Sequence, residues 1–539
     1  MSSYTISNRP ADNYYLDYFL AMVGTVAQRY EDLLTDADRS FLRKIDRSSH
    51  RALRLLIRLY MRKGPNFIER KLDYAEIDDM SLAIQELITQ NLIAVNPEVY
   101  AWELIDILPV STSRELFLEE NQKLKKNDLV DLWLDDEQLM TASEWGCPDA
   151  IICPLDYDSI RRLQLLYFGN ERQTITDFIL DDLGVAKYEA YPLDVKNRFF
   201  SNQVDIEQFL QISDFNNDFY LLQEAKDWTG LVQFAEACFK LNVSKQLQYR
   251  WHKLLNRIAY RLEQVEELDL ALALFDTNDL PPSRERRVRI LFKQEHFNSA
   301  LILLNDMQTQ PKANSEIAFY QRFINKVNKA LELPTIKFIK PIWQEKYIIA
   351  HREDKSVELI ASDYLEHCEW LENSLPMAVF GLSIWPIIFA DVPGVWHHSF
   401  QSGPTDLLEE DFTIKRQVLI NKMYQHDKAQ LREIIIQTWQ EKSGTSNPFI
   451  NWKVLNLDTV LSCFDALSLE QWHGIYRHIF TDIRHHRSGF PDLFQRTLHG
   501  YEFIEIKGPG DKLQDNQIAW LKTFNKLNVN VSVCYVSYH

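Results

Sequence analysis

Six cysteines (Cys147, Cys153, Cys238, Cys368, Cys463 and Cys534) are scattered over 539 residues with no Cys-x-x-Cys pair and no matching histidine spacing. That scarcity argues against a disulfide framework and a zinc finger, and predicts reduced thiols in packed cores. His473, His478, His485 and His486 cluster without cysteine partners and are set aside as metal ligands. Long apolar runs are missing too. The richest, Leu375 to Ala390, is too short to span a bilayer comfortably and is broken by Pro376, Gly381 and Pro386, so a buried helix and loop is expected and no membrane association. No basic-then-apolar leader is visible and no segment is polar or repetitive enough to stay unfolded, which predicts an intracellular chain that folds throughout. Net positive charge is absent as well: a formal charge of −18 argues against indiscriminate nucleic-acid binding.

The positive charge that exists is concentrated. Between Arg43 and Lys71, ten Lys and Arg stand against Asp46 and Glu69, a local charge of +8. Within it, Arg51, Arg54, Arg58 and Arg62 recur at three- and four-residue steps, aligning on one side of a helix whose other side carries Leu55, Leu56, Leu59 and Tyr60. A second stripe runs Arg250, Lys253, Arg257, Arg261. Such rows are ordinarily solvated faces, and become phosphate contacts only beside a centre that acts on DNA.

Length predicts three or four packed units. Residues 13 to 95 read as helices with a small wing of strand between "KLDYAEI" and "NLIAVNPEVYAWEL". "KKNDLVDLWL" and "LQLLYFGNERQTITDFILDDLGV" read as amphipathic segments of a second unit. From about Asp205 to Leu331, short paired helices recur loosely near the 34-residue spacing of helical-hairpin repeats. "LELPTIKFIKPIW" then connects into the last domain.

That last domain changes period. "PDLFQ" and "YEFIEIKG" are β-rich, "DKLQDNQIAWLKTFNKL" is an amphipathic helix and "VNVSVCYVSY" alternates as a closing strand. Strand alternation puts Glu505 and Lys507 on one face, where a neighbouring strand can bring Asp492 beside them. Two carboxylates can hold a divalent cation that polarises a phosphoryl oxygen and acidifies water, while the lysine serves the nucleophile or the developing charge.

With "RHHRSGFPDLF", "FIEIKGPGDKLQDNQIAWL" and the final strand, the C-terminal part resembles the VRR-NUC nuclease module. "YYLDYFLAMVGTVAQRYEDLL", "RLYMRKGPNFIERKLDY", "LYFGNERQTITDFILDDLGV" and "ENSLPMAVFGLSIWPIIFADVPG" extend the likeness, and the whole chain resembles the Fanconi-associated nuclease family. The resemblance implies a multidomain, mainly α-helical protein with an α/β nuclease domain of the PD-(D/E)xK, restriction-endonuclease-like fold. Its parts would be an N-terminal helical, winged-helix-like DNA-binding domain (1–100), a SAP-like region (101–200), tetratricopeptide-like helices (201–335) and the VRR-NUC domain (336–539). It also implies 5′ flap cleavage and 5′-to-3′ exonuclease action on branched DNA, Mg²⁺ or Mn²⁺ dependence, and a part in interstrand crosslink repair. A junction-resolving or restriction-type enzyme, or a non-catalytic repair scaffold, would be the alternatives.

Carried over residue by residue, Asp492 and Glu505 match the family's metal-binding carboxylates, Lys507 its catalytic lysine, and the Ile506 carbonyl a further ligand. The remaining carboxylate matches Glu372, nine residues before Gly381, with Glu369, one helical turn earlier, as competitor. Lys512 stands where many members have arginine, which keeps the charge and loses the bidentate fork. Gln517 matches a polar residue facing the site. Pro386 stands where members carry aspartate, and no Cys/His ubiquitin-binding finger precedes the nuclease part. The resemblance therefore points to a bacterial or minimal member, cytoplasmic and nucleoid-associated.

Overall fold

The computed structural model describes residues 14–118, 124–173, 187–338, 342–365, 368–370, 373–497 and 500–539. The segment "TITDFILDDLGV", expected to be helical, lies outside them, as does Glu372. The chain divides into two compact units, Met1–Ala186 with Leu193–Gln203, and Lys187–Pro192 with Val204–His539.

In the first unit, α1 (Tyr14–Arg29), α2 (Asp36–Arg47), α3 (His50–Tyr60) and α4 (Met80–Thr89) form the helical module expected at this end. Local chemistry sets their starts: Asp38 N–H donates to the Thr35 hydroxyl while Thr35 N–H donates to the Asp38 carboxylate, and Ser49 caps α3. Leu55, Leu56 and Leu59 are buried along α3, and Arg62 falls just past its end. The strands β1 (Phe67–Ile68), β2 (Ile93–Val95), β3 (Glu98–Tyr100), β4 (Leu139–Thr141) and β5 (Ile151–Pro154) make a three-stranded antiparallel sheet, β1-β5-β2, and a separate β3-β4 pair. "NLIAVNPEVYAWEL" therefore does hold strand, but "KLDYAEI" holds none.

The second unit begins with helices laid one against the next: α5 (Gln203–Ala225), α6 (Trp228–Cys238), α7 (Gln248–Gln264), α8 (Leu268–Asp276), α9 (Ser283–Lys293), α10 (Phe297–Thr309) and α11 (Asn314–Ala330). The ends of α5, α7, α9 and α11 share one device. Lys226, Glu266, Glu295 and Glu332 adopt φ of 53°, 68°, 62° and 56°. The next N–H then reaches five residues back, Asp227 to Leu222, Glu267 to Leu262, His296 to Leu291 and Leu333 to Asn328, at 2.8 to 3.0 Å. Glycine is the usual residue there. Each charged residue accepts a left-handed backbone at a cost of about 1 kcal/mol, offset by the packing of one helix on another.

A five-stranded mixed sheet follows, ordered β6-β10-β9-β8-β7. Its strands are β6 (Gln344–Ala350), β7 (Cys368–Trp370), β8 (Leu493–Thr497), β9 (Gly500–Lys507) and β10 (Val531–Tyr538). β10 runs parallel to β6 and β9, and β8 antiparallel to β9 and β7. Helix α12 (Val357–Tyr364) covers one face, packing Ile360 and Ala361 against Leu493, Ile504, Ile506 and Val536. The other face carries Phe494, Phe503, Val531 and Val533 into the main core with α13 (Ser374–Ser383) and the C-terminal helix α14 (Asp515–Lys526). The apolar run is the expected buried helix: Leu375 through Ser383 are all buried, and a Cβ on Gly381 would lie 3.0 Å from Phe449 Cβ. Glu369 departs from expectation. It sits in strand β7 opposite Phe494, where pairing with β8 overrides any helical turn before α13.

Candidate metal and phosphodiester site

β9 brings the site together by its pleat. Phe503, Glu505 and Lys507 share the face that α14 covers, so the two polar residues emerge at the end of a strand whose earlier positions are apolar core. Glu505 is 1% exposed and Lys507 7%. Lys507 Nζ lies 2.9 Å from Glu505 Oε1, and Gln517 Nε2 donates to the same oxygen at 2.6 Å. The Gln517 amide is oriented from behind, because its own Oε1 accepts the Gln514 N–H at the start of α14. Asp492 arrives from the residue before β8, and its Oδ2 accepts the Ile506 N–H at 2.8 Å. Glu505 Oε2 is buried and has no hydrogen-bond partner among the described residues.

That arrangement is electrostatically expensive when empty of cations. Burial pushes the Glu505 carboxyl up to about 8; the Asp492 charge pushes the same way, the hydrogen bond and charge of Lys507 pull down, and Glu358 adds a final upward push. An all-oxygen donor group with one buried, unpartnered carboxylate oxygen fits a hard divalent cation. Among the described residues no three His, Cys, Asp or Glu side chains are grouped to hold an ion. The set read from the sequence also needs Glu372, outside the described residues.

Three supports were missed in the sequence. Asn373 Oδ1 accepts the Phe490 N–H at 3.0 Å, and Trp370 pairs with Leu493, so described residues on both sides of 371–372 are tied to the stretch bearing Asp492. Trp520 donates to the carbonyls of His486 and Ser488 and stacks on Phe490 with centroids 3.8 Å apart, holding the same stretch from α14. Its place one helical turn after Gln517 was the available signal. Glu358, on α12, carried none. Lys512 is exposed between β9 and α14 and makes no hydrogen bond or ion pair with the described residues.

The two basic stripes differ in partners. Arg51 pairs with Asp78 at 2.8 Å, Arg58 forks onto Glu76 Oε1 beneath the Tyr15 ring, Arg54 reaches the Glu76 carbonyl and Arg62 the Tyr74 hydroxyl. In the second stripe, Arg250 donates to the Ser213 hydroxyl and lies over Phe209, and Lys253 lies over Tyr249. Arg257 donates to Asn216 Oδ1 at 2.5 Å, and Arg261 to Gln223 and Gln264. Carboxylates neutralise two members of the first stripe, whereas amides leave Arg257 and Arg261 with their full charge.

The mixed sheet, with buried Glu505 and Lys507 beside Asp492, is that of a divalent-metal-dependent phosphodiesterase of the nuclease class. Residues 426–538 match the VRR-NUC domain, and residues 13–94 match the FAN1 HTH domain. The Fanconi-associated nuclease 1 homolog of Pseudomonas aeruginosa is 31% identical, covering 98% of this chain and 97% of its own. The chain therefore belongs to the Fanconi-associated nuclease family. Human Fanconi-associated nuclease 1 is 22% identical over 97% of this chain, which spans 62% of the human protein. A crystal structure of paFAN1 bound to 2nt 5′flap DNA with gap superposes with a TM-score of 0.86 at 30% identity, covering 98% of this chain and 99% of the other. Among the described residues no helix is long and apolar enough to cross a membrane.

Proposed function

We propose that this chain is a structure-specific DNA nuclease that cuts branched DNA near 5′ flaps, with 5′-to-3′ exonuclease action, and serves interstrand crosslink repair in a bacterial cytoplasm. The observation that carries it is the Glu505 carboxylate, buried between Asp492 and Lys507 with one oxygen unpartnered among the described residues. The relative crystallised with 5′ flap DNA supports the choice of substrate. Mg²⁺ or Mn²⁺ would be held by Glu372, Asp492, Glu505 and the carbonyl of Ile506. Once bound, it would supply Lewis acidity to the scissile phosphate and to a water.

The chain's own residues do the rest. Gln517 and Lys507 occupy Oε1 of Glu505 and so leave Oε2 for the cation. Lys507, held at the end of β9, orients the attacking water or offsets charge on the phosphorane. Lys512 adds a cation for a neighbouring phosphate. Arg257 and Arg261, whose partners are amides, are the stronger candidates for the duplex backbone, with Arg250 and Lys253 on the same stripe, and Arg51, Arg54, Arg58 and Arg62 the weaker, because acids already match Arg51 and Arg58. Flap, junction and blunt duplex substrates compared with Mg²⁺ and Mn²⁺ test the reading. Flap cleavage should dominate, Asp492→Ala should abolish it while DNA binding stays within a few-fold, and Lys507→Ala should lower turnover. Equal cleavage of all three substrates, or cutting retained by Asp492→Ala, would refute it.

A further inference from the structure

The parallel strands β6, β10 and β9 put two aromatic rings in line with the site. Lys507 is the last residue of β9 and pairs with Tyr535 of β10, which pairs in turn with Tyr347 of β6. Partners in register share a sheet face, so both tyrosines lie on the face that carries Glu505 and Lys507, one and two strand spacings away, about 5 and 10 Å. The rings are stacked, with centroids 5.6 Å apart and planes inclined by 24°. Tyr535 packs against the main core, whereas Tyr347 is 72% exposed. Beyond Lys507 the ladder narrows: β10 and β6 continue through the pair Ser537 and Ile349, which is exposed on the same face and has no partner in β9. An aromatic shelf thus opens to solvent beside the end of β9.

A cross-strand aromatic pair could serve only to hold β6 against β10. That role calls for covered rings, and an edge strand in water ordinarily carries lysine or a bulge rather than an exposed tyrosine and isoleucine. Among the described residues β6 is such an edge, paired on one side alone. The Tyr347 hydroxyl donates to Glu345 Oε2 at 2.5 Å, so the outer rim of the shelf is acidic. A phosphate is repelled there and kept to the Lys507 side, which leaves the rings to an uncharged base. Every nucleobase has a face that can stack on such a ring, and branched DNA supplies unpaired ones. We propose that Tyr347 and Tyr535 form a stacking shelf for the unpaired nucleobase next to the scissile phosphate, with Tyr347 binding it at the open end. This rests on the nuclease reading above and deepens it.

The test is steady-state cleavage of a 5′ flap by the full chain with Mn²⁺, on intact DNA and on DNA in which the nucleotide on either side of the cut, located from product length, is made abasic in turn. On intact DNA, Tyr347→Ala should raise KM about tenfold, in the range of one base stacked on an aromatic ring, with kcat within about twofold. Tyr347→Phe keeps the ring and should stay within about twofold of the parent. One of the abasic substrates should raise the parent's KM comparably, and on it Tyr347→Ala should add no more than about twofold. A rise of less than about fivefold in Tyr347→Ala, no recovery with phenylalanine, or penalties of variant and abasic site that multiply would overturn the shelf, the last because a merely structural tyrosine acts whether or not the base is present. A parent that cuts no flap removes the nuclease reading and the shelf together, whereas a cutting parent with unchanged Tyr347→Ala removes the shelf alone.

Discussion

Replacing Glu505 by glutamine should make the metal-free protein more stable, and by an amount that depends on pH. The carboxamide keeps an acceptor for Lys507 and Gln517 at Oε1 and is neutral at every pH. The native carboxyl is raised from an ordinary 4.5 to about 8. Below about 4.5 it is protonated both folded and unfolded, so parent and variant should be equally stable. Between 4.5 and 8 the unfolded chain ionises while the folded one stays protonated, and the parent loses about 1.4 kcal/mol per pH unit. Above 8 both forms are ionised and the deficit levels off at about 5 kcal/mol, the product of that slope and a shift of about 3.5 units. Denaturant unfolding of the nuclease unit in chelator, from pH 4 to pH 9, measures the difference. Mn²⁺ should reverse the order at alkaline pH, because the parent binds it and the variant loses a ligand. Parallel pH curves for the two proteins would refute the reasoning, since a Glu505 exposed to water or fully compensated by Lys507 predicts no slope.

Glu372→Gln should abolish cleavage and weaken Mn²⁺ binding while Glu369→Gln changes neither; the reverse result would transfer the ligand to the strand residue opposite Phe494. Neutralising Arg257 and Arg261 together should weaken flap binding and make log K against log salt shallower by roughly one to two units, at about 0.9 counterions per lost phosphate contact. Neutralising Arg51 and Arg58 should shift that slope by roughly half a unit or less, because Asp78 and Glu76 already balance them. Equal slopes for the two pairs would show that the intramolecular partners give way to DNA.

Much of this protein was readable before any contact was known. The alternation of "YEFIEIK" alone puts Glu505 and Lys507 on one side of a strand, and the run from Leu375 had to be buried because nothing else in water accommodates it. Local signals of this kind survive folding because the pleat and the helical turn are properties of the backbone. The turns between the repeat helices were not readable in the same way: glycine would have announced them, but lysine and glutamate hold the left-handed positions. β6 and β7 were missed as well, since three residues such as Cys368–Trp370 carry no period and become a strand only when β8 supplies partners.

What the chain determined by itself was therefore which residues share a face. Which groups those faces meet was decided by tertiary structure. Asp492 reaches the site because its carboxylate accepts the Ile506 N–H from the neighbouring strand, and Gln517 because α14 packs back on β9. The two arginine stripes make the point most plainly. Their spacing is nearly the same, yet one lies against Asp78 and Glu76 and the other against Asn216 and Gln223. Periodicity orients a side chain relative to its own helix, whereas the charge left over for a ligand depends on the segment that packs opposite, brought there by burial of apolar surface elsewhere.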